Sequence, residues 1–499
     1  MAIQRHVFLV DRRVKYSFYS RSLNQAKKMG NNTESVRHET DSIGSIEVSN
    51  AALWGAASQR SLKYFAIGRD LFTPQFINCL CQVKEAAATV NFALGNLDKE
   101  RASLIQAACA EVLAGKHENQ FPLSVWQTGS GTQTNMNVNE VLANIGNRNS
   151  GAKLGAKAPL HPNDHVNLSQ SSNDVFPTAM HMVARQMTVS RLLPSLKLLQ
   201  SQLDKKAIEF QTAVKSGRTH MMDATPVTLG QEFGAFSAQI QFAIERISES
   251  LELLLVLPIG GTAVGTGYNS DPQWAQLMVK ELSKMSGCDF QTAENRFSQM
   301  ASHDALRNLH SQIAGLATAL YKLASDMRLM NSGPRCGLGE ISIPANEPGS
   351  SIMPGKINPT QIEALTMICL RVIGNDTSIT MANSQGQFQL NTYKPLIIHL
   401  LLESIELLAD SCNSFTIHCL AGIEVNKKQI ESHSSNSLML ATALVPTLGY
   451  DQTAKLVEYA HERGLSLKDA AVERGDMSRE EFEKQVNPLT MLAPTAKSD

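Results

Sequence analysis

Between residues 306 and 330 the apolar side chains Leu306, Leu309, Ile313, Leu316, Leu320, Leu323, Met327 and Met330 follow one another in steps of three and four. An unbroken seam of that kind fits one face of a helix, because a strand's faces alternate every second residue. At 1.5 Å per residue the helix that carries it runs roughly 35–40 Å. Two further series have the same spacing: Leu192, Leu196, Leu199, Leu203, Ala207, Phe210 and Val214, then Phe236, Ile240, Ala243, Ile247, Leu251 and Leu254. Several such helices side by side make a long bundle. Little of the chain reads as strand, so the expected class is mainly α. A seam this long serves neighbours in the chain and leaves a second face for other subunits, which makes a helical oligomer the expectation; helices filling one large monomeric core explain the same spacing.

Composition removes several function classes. The 499 residues suffice for two or three domains and a large core. With 45 basic against 46 acidic residues, no surplus of positive charge points to nucleic acid or to an anionic membrane. Of the eight cysteines only Cys79 and Cys81 lie close together, which is neither a CxxC spacing nor a disulfide framework, and a reducing compartment follows. The most apolar run, "LELLLVLPIGG", contains Glu252 and is broken by Pro258, short of the ~20 residues that cross a bilayer. Residues 1–28 are basic and serine-bearing with Asp11 as their single acid, which resembles an organelle transit peptide. An upstream extension with Met29 as the working start is the other reading.

Polar connectors separate the helical stretches: "TGSGTQTNMN" at 128–137, "HPNDHVNLSQSSND" at 161–174, "SGRTHMMDATP" at 216–226 and "GSSIMPGKINPTQIE" at 349–363. Each offers hydroxyls and amides with one or two charges. Any one of these residues is ordinary as a helix cap or turn residue, but four such connectors beside long helices are harder to dismiss, and the loop at 349–363, rich in small donors, suits an anion. "GGTAVGTGYN" at 260–269 lacks the Lys-Ser/Thr of a phosphate loop and reads as a tight connector. The histidines show no metal-ligand spacing, and no GxSxG elbow marks a serine hydrolase.

These segments, with "LWGAASQRSL" and "NSLMLATAL", resemble the fumarase/aspartase superfamily and, within it, the class II fumarases, from about Asp41 to the C-terminus. Gly355 after "GSSIMP" and His220 at the end of "GRTH" separate the chain from aspartases, which typically carry alanine and glutamine there. The resemblance implies a mainly α, three-domain fold with a central long-helix bundle: an extension over 1–33, an N-terminal domain over 34–169, the bundle over 170–427 and a small helical domain over 428–499. It also implies a homotetramer with active sites shared between subunits, a small dicarboxylate substrate, and no metal or organic cofactor.

For the reaction the resemblance implies reversible anti addition of water to fumarate, giving (S)-malate, in the tricarboxylic acid cycle. Ser350 would take the carbon-bound proton and His220 would serve the oxygen side, with Glu363 orienting it. Ser130, Gly131, Thr132, Ser171, Ser172, Asn173, Thr219, Ser351, Lys356, Ile357 and Asn358 would hold the substrate. His161, Pro162, Asn163 and Asp164 match a second anion site, but Ala158, Pro159 and Leu160 precede them where relatives often carry basic residues, and a helix cap by Asn163 or Asp164 is the competing expectation. Met222, "AENRFSQM" and Gln389 also depart from the pattern without removing a catalytic group. The alternatives are an ammonia-lyase of the same superfamily and a non-catalytic, crystallin-like member. Residues around "LWGAASQRSL" look bacterial, which favours the cytoplasm, with the mitochondrial matrix as the other expectation.

Overall fold

The computed structural model describes residues 35–494, so the transit-like segment lies outside the described residues. A hairpin of β1 (Val36–Asp41) and β2 (Gly44–Ser49) leads into α1 (Ala56–Tyr64), α2 (Pro74–Ala93), α3 (Lys99–Leu113) and α4 (Thr132–Asn149). Next come α5 (Ser172–Met187) and α6 (Leu193–Glu209), joined by a π-helical turn at Thr188–Leu192. A second hairpin, β3 (Val214–Thr219) and β4 (Met222–Thr228), precedes α7 (Leu229–Ser250), α8 (Trp274–Ser286) and the short α9 (Arg296–Ala301). The chain continues through α10 (Asp304–Met330), α11 (Thr360–Asn383) and α12 (Lys394–His418), and α13 (Lys427–Asn436) opens the C-terminal part.

The five long elements close a ring, with α7 against α10, α10 against α11, α11 against α12, α12 against α6, and α6 back on α7. The heptad seam holds it together. All eight of its residues lie at 5 % exposure or less on α10, and burying such side chains stabilises a fold by about 1.5–3 kcal/mol each, an upper figure for compact unfolded chains. One continuous core extends from Leu53 to Ile423, and a separate small core from Ala441 to Val486. Among the described residues no helix is long and apolar enough to cross a membrane.

The mainly α expectation holds, with two local corrections. The series from Leu192 to Val214 overruns its helix: α6 ends at Glu209, Phe210 caps it, and Val214 is already in β3. The connector at 216–226, read only as a polar connector in a chain with little strand, is the body of the β3–β4 hairpin.

On the outer face of α11, Met367, Leu370 and Met381 are 65 %, 58 % and 60 % exposed, with exposed Gly374, Thr377 and Ser378 between them. That is a second helical stripe, on the side away from the ring.

Candidate active site

The first part of the site forms where two helices begin. Gly131, the residue before α4, has φ of 76°, and a Cβ there would meet the Phe176 ring at 2.3 Å. Glycine is thus required twice, for the left-handed turn and for the close approach of α5. That approach sets Thr132 Oγ1 2.8 Å from Ser172 Oγ and 3.0 Å from Ser130 Oγ, a chain of three hydroxyls. Both helices point their N-termini at it, so unpaired amides and two macrodipoles favour negative charge there.

Asp174 locks this arrangement. Its Oδ1 accepts from Ser171 N at 3.0 Å, while the Ser171 hydroxyl accepts from Asn173 N, completing a capping box. Its Oδ2 accepts from Gly260 N at 3.0 Å and Thr262 N at 2.9 Å, and Asn173 Nδ2 donates to Ala263 O at 2.8 Å. The glycine-rich segment is therefore more than a connector; it is the second wall to which the α5 N-terminus is fastened. Burial pushes the Asp174 carboxyl up to about 6, against the three amides and the charge of Lys84. Lys84, itself fully buried and lowered to about 7 by that burial, donates to Asn167 Oδ1 at 2.9 Å and Gln170 Oε1 at 3.0 Å. Asn135 and Asn139 donate to the same Asn167 oxygen, so α2, α4 and the turn before α5 share one polar knot.

The signature loop folds on itself. Gly349 N donates to Lys356 O, and Asn358 Nδ2 to Gly349 O at 2.6 Å. Inside the loop, Ser350 Oγ accepts two backbone amides, from Ile352 at 3.2 Å and Met353 at 3.0 Å. Ser351, Lys356 and Ile357 are exposed, and Lys356 makes no ion pair among the described residues. Glu363, in the first turn of α11, accepts from Arg328 Nη2 at 3.1 Å.

His220 and Met221 form the two-residue turn of the β3–β4 hairpin, with φ of 55° and 64°. Left-handed conformations are sparse for residues other than glycine, and strain of this kind persists where the surroundings impose it. Thr219 and His220 are exposed at the tip. Within the chain no hydrogen bond joins His220 to Glu363, the orienting partner expected from sequence; the Glu363 carboxylate pairs with Arg328 through one oxygen.

The second anion motif forms a π-helical turn over Pro162–Val166. Its cap is His161, whose Nδ1 accepts from Asn163 N at 3.2 Å and Asp164 N at 3.1 Å, so neither Asn163 nor Asp164 acts as the expected cap. With Thr132, Gln133 and Lys157, residues 161–163 line a cleft of about 880 Å³. Its cations have internal partners: Arg60 pairs with Asp41 at 2.7 Å, and Lys157 donates to Thr40 O.

One chain thus unites the hydroxyls of residues 130, 132 and 172 with the α5 N-terminus. It leaves the Ser350 loop and the His220 tip apart from them: no residue from 349 to 358 lines the cleft, and no hydrogen bond joins the three groups. Asp174 and Lys84 were missed from sequence; the Ser-x-x-Asp spacing of a capping box was the available signal for the first.

A family model described as Lyase matches residues 44–374, and one described as Fumarase C C-terminus matches 440–493. The fumarate hydratase class II of Methylorubrum extorquens is 51 % identical over 462 residues, 93 % of this chain and 98 % of that protein. The one from Pseudomonas putida is 51 % identical over 461 residues, covering 92 % and 99 %. Among solved structures, the class II fumarase of Schistosoma mansoni superposes with a TM-score of 0.90 at 43 % identity, over 93 % of this chain and all of that one. A fumarate lyase:delta crystallin of Brucella melitensis bound to cobalt gives 0.89 at 37 % identity, over 92 % and 100 %. The chain belongs to the class II fumarate hydratases.

Proposed function

We propose that the chain adds water reversibly to fumarate, giving (S)-malate, with Ser350 as the group that removes the carbon-bound proton in the dehydration direction. The observation that carries the assignment of Ser350 is the pair of backbone amides aimed at its Oγ. A serine hydroxyl is a poor base at its ordinary acidity. Two fixed N–H donors favour the alkoxide, as donors aimed at developing charge do in any preorganised site.

Removing the proton leaves a carbanion that shares its charge with the neighbouring carboxylate as an aci-carboxylate. Lys356 and Asn358 on the same loop stabilise that gain of charge more than they favour the ground state. Ser130, Thr132, Ser171, Ser172, Asn173 and Thr219 hold the substrate carboxylates with neutral donors and helix N-termini, which position a dianion without trapping it. His220 exchanges the proton on the oxygen side, and Glu363 of another subunit orients it.

A homotetramer with shared sites accounts for the separation of the three groups, and the apolar stripe on α11 supplies a face for subunit contact. The reaction places the chain in the tricarboxylic acid cycle. The cytoplasm is the proposed compartment, with the mitochondrial matrix as the alternative should residues 1–28 direct import.

The test is hydration of fumarate by the purified chain, followed by the loss of the ultraviolet absorbance of the conjugated double bond, with aspartate and argininosuccinate as controls. Fumarate alone should react, with or without a chelator. Ser350→Ala should lower kcat about a hundredfold to a thousandfold and leave KM nearly unchanged. Full activity of folded Ser350→Ala would remove Ser350 from the mechanism.

A further inference from the structure

The His220 tip projects from its hairpin without a hydrogen bond to the imidazole from elsewhere among the described residues, so its direction is set at the base. There β3 is irregular. Its register with β4 shifts between Ser216 and Arg218, and Gly217 sits in the shift, where a Cβ would come within 2.5 Å of Thr225 O. In a regular strand residues 215 and 218 would face opposite sides. The bulge turns both toward one group, the carboxylate of Glu340, which has no solvent exposure at all.

Arg218 Nη2 lies 2.8 Å from Glu340 Oε1, and Lys215 Nζ lies 3.0 Å from Oε2 as an ion pair, while the same ammonium donates to both oxygens of Glu232 at 2.9 and 3.0 Å. His433 on α13 brings Nδ1 to 3.3 Å from Oε1, with Nε2 2.8 Å from Gln429 Nε2. Two cations thus face two carboxylates, with an imidazole as a further partner. Burial opposes ionisation of Glu340, but the Arg218 hydrogen bond and the Lys215 charge outweigh it and hold the carboxyl below its usual range. Its backbone is fixed as well: Glu340 N donates to Met330 O at the end of α10, and Glu340 O accepts from Asn426 N.

We propose that Glu340 is a positioning residue for the reaction. By gripping Arg218 and Lys215 on one side of the bulge, it sets the angle at which the hairpin presents His220, and it refers that angle to the rigid end of α10. The inference rests on the role of His220 proposed above. Glu340 touches no substrate, and its effect passes through Thr219, the one residue between Arg218 and His220.

The experiment compares Glu340→Gln, His220→Ala and the double variant as full-length chains, measuring kcat and KM for fumarate together with assembly state and circular dichroism. The glutamine keeps the shape and removes the charge that holds Arg218. Misplacing a reacting group by about 1 Å is sufficient for up to a hundredfold, so a fall in kcat of about tenfold to a hundredfold with a smaller change in KM is expected. In the His220→Ala background the same substitution should change the remaining rate less than twofold. Equal kcat for Glu340→Gln and the unaltered chain, or an undiminished loss in the double variant, would overturn the proposal. Wild-type activity of His220→Ala would instead overturn the role of His220. Should Glu340→Gln fail to fold, Arg218→Lys is the second variant: it keeps the charge, shortens the reach and is expected to show the same kcat loss, and an unchanged kcat in its folded form overturns the inference.

Discussion

When the pH falls below about 6, Asp174 takes up a proton in the folded chain, whereas in the unfolded chain it does so near 3.8. The native state binds this proton more tightly, so the sign is unusual for a hydrogen-bonded carboxylate. Its contribution to stability is fully present below 3.8 and is lost as the pH rises through about 6, on the order of 2–3 kcal/mol from this group alone. Catalysis should respond the other way, since a protonated carboxyl loses an acceptor to three amides that hold Ser171 and the 260–262 segment. The expected result is an acid limb in kcat near pH 6 over a range where circular dichroism shows no unfolding. Asp174→Asn cannot titrate and should have low activity at neutral pH without that limb. Local sequence reveals half of this residue's role, because Ser171 and Asp174 have capping-box spacing. The bond to Gly260 and Thr262 spans 86 and 88 residues and leaves no local pattern. The same holds for Glu363, whose Arg328 partner is 35 residues away.

At the scale of elements, the β3–β4 hairpin depends on its bulge. Gly217→Ala places a methyl group against Thr225 O at 2.5 Å, and relief requires the strand to straighten or the turn to swing. We expect destabilisation of about 1–3 kcal/mol, as for other overpacked sites, and a loss of activity larger than stability alone explains. Thermal unfolding and kcat measured on one preparation check both. Long helices were legible because their seams repeat without interruption, as Leu306 to Met330 do. The hairpin was not, because the bulge interrupts the alternation that marks a strand, and "SGRTHMMDATP" carries the polar and proline content of a loop. Val214 fell in step with the seam of α6 by spacing alone, although the helix had already ended at Glu209. In the same way, His161 rather than a preferred capping residue closes the π-helical turn, and nothing in "HPND" distinguishes the ring nitrogen from the asparagine or aspartate beside it.

For the whole molecule, the exposed stripe on α11 and the separated site groups lead to one expectation. Met367→Glu with Leu370→Glu puts two charges on the outer face, and sedimentation should show a smaller assembly with little activity, while helical content is retained. Mixing separately inactive His220→Ala and Ser350→Ala chains should restore some hydration once subunit exchange is verified by mass. Verified hybrids that stay inactive would refute the shared site. Fold class and family could be read from the linear sequence, because the helical seams repeat without interruption and the connectors are short segments of distinctive composition. A shared site was already the expectation from the resemblance; three-dimensional placement added which groups one chain brings together, the hydroxyls of residues 130, 132 and 172, and which it leaves apart.

The carboxylate of Asp174 also bears on biosynthesis. Residues 132 and 172, whose hydroxyls meet at 2.8 Å, leave the ribosome well before Gly260 and Thr262, which hold the other oxygen of Asp174. A nascent chain halted between these points contains every residue of the hydroxyl cluster, but the buried anion lacks two of its three amides. The start of α5 is therefore fastened on both sides only after the middle of the chain has been translated.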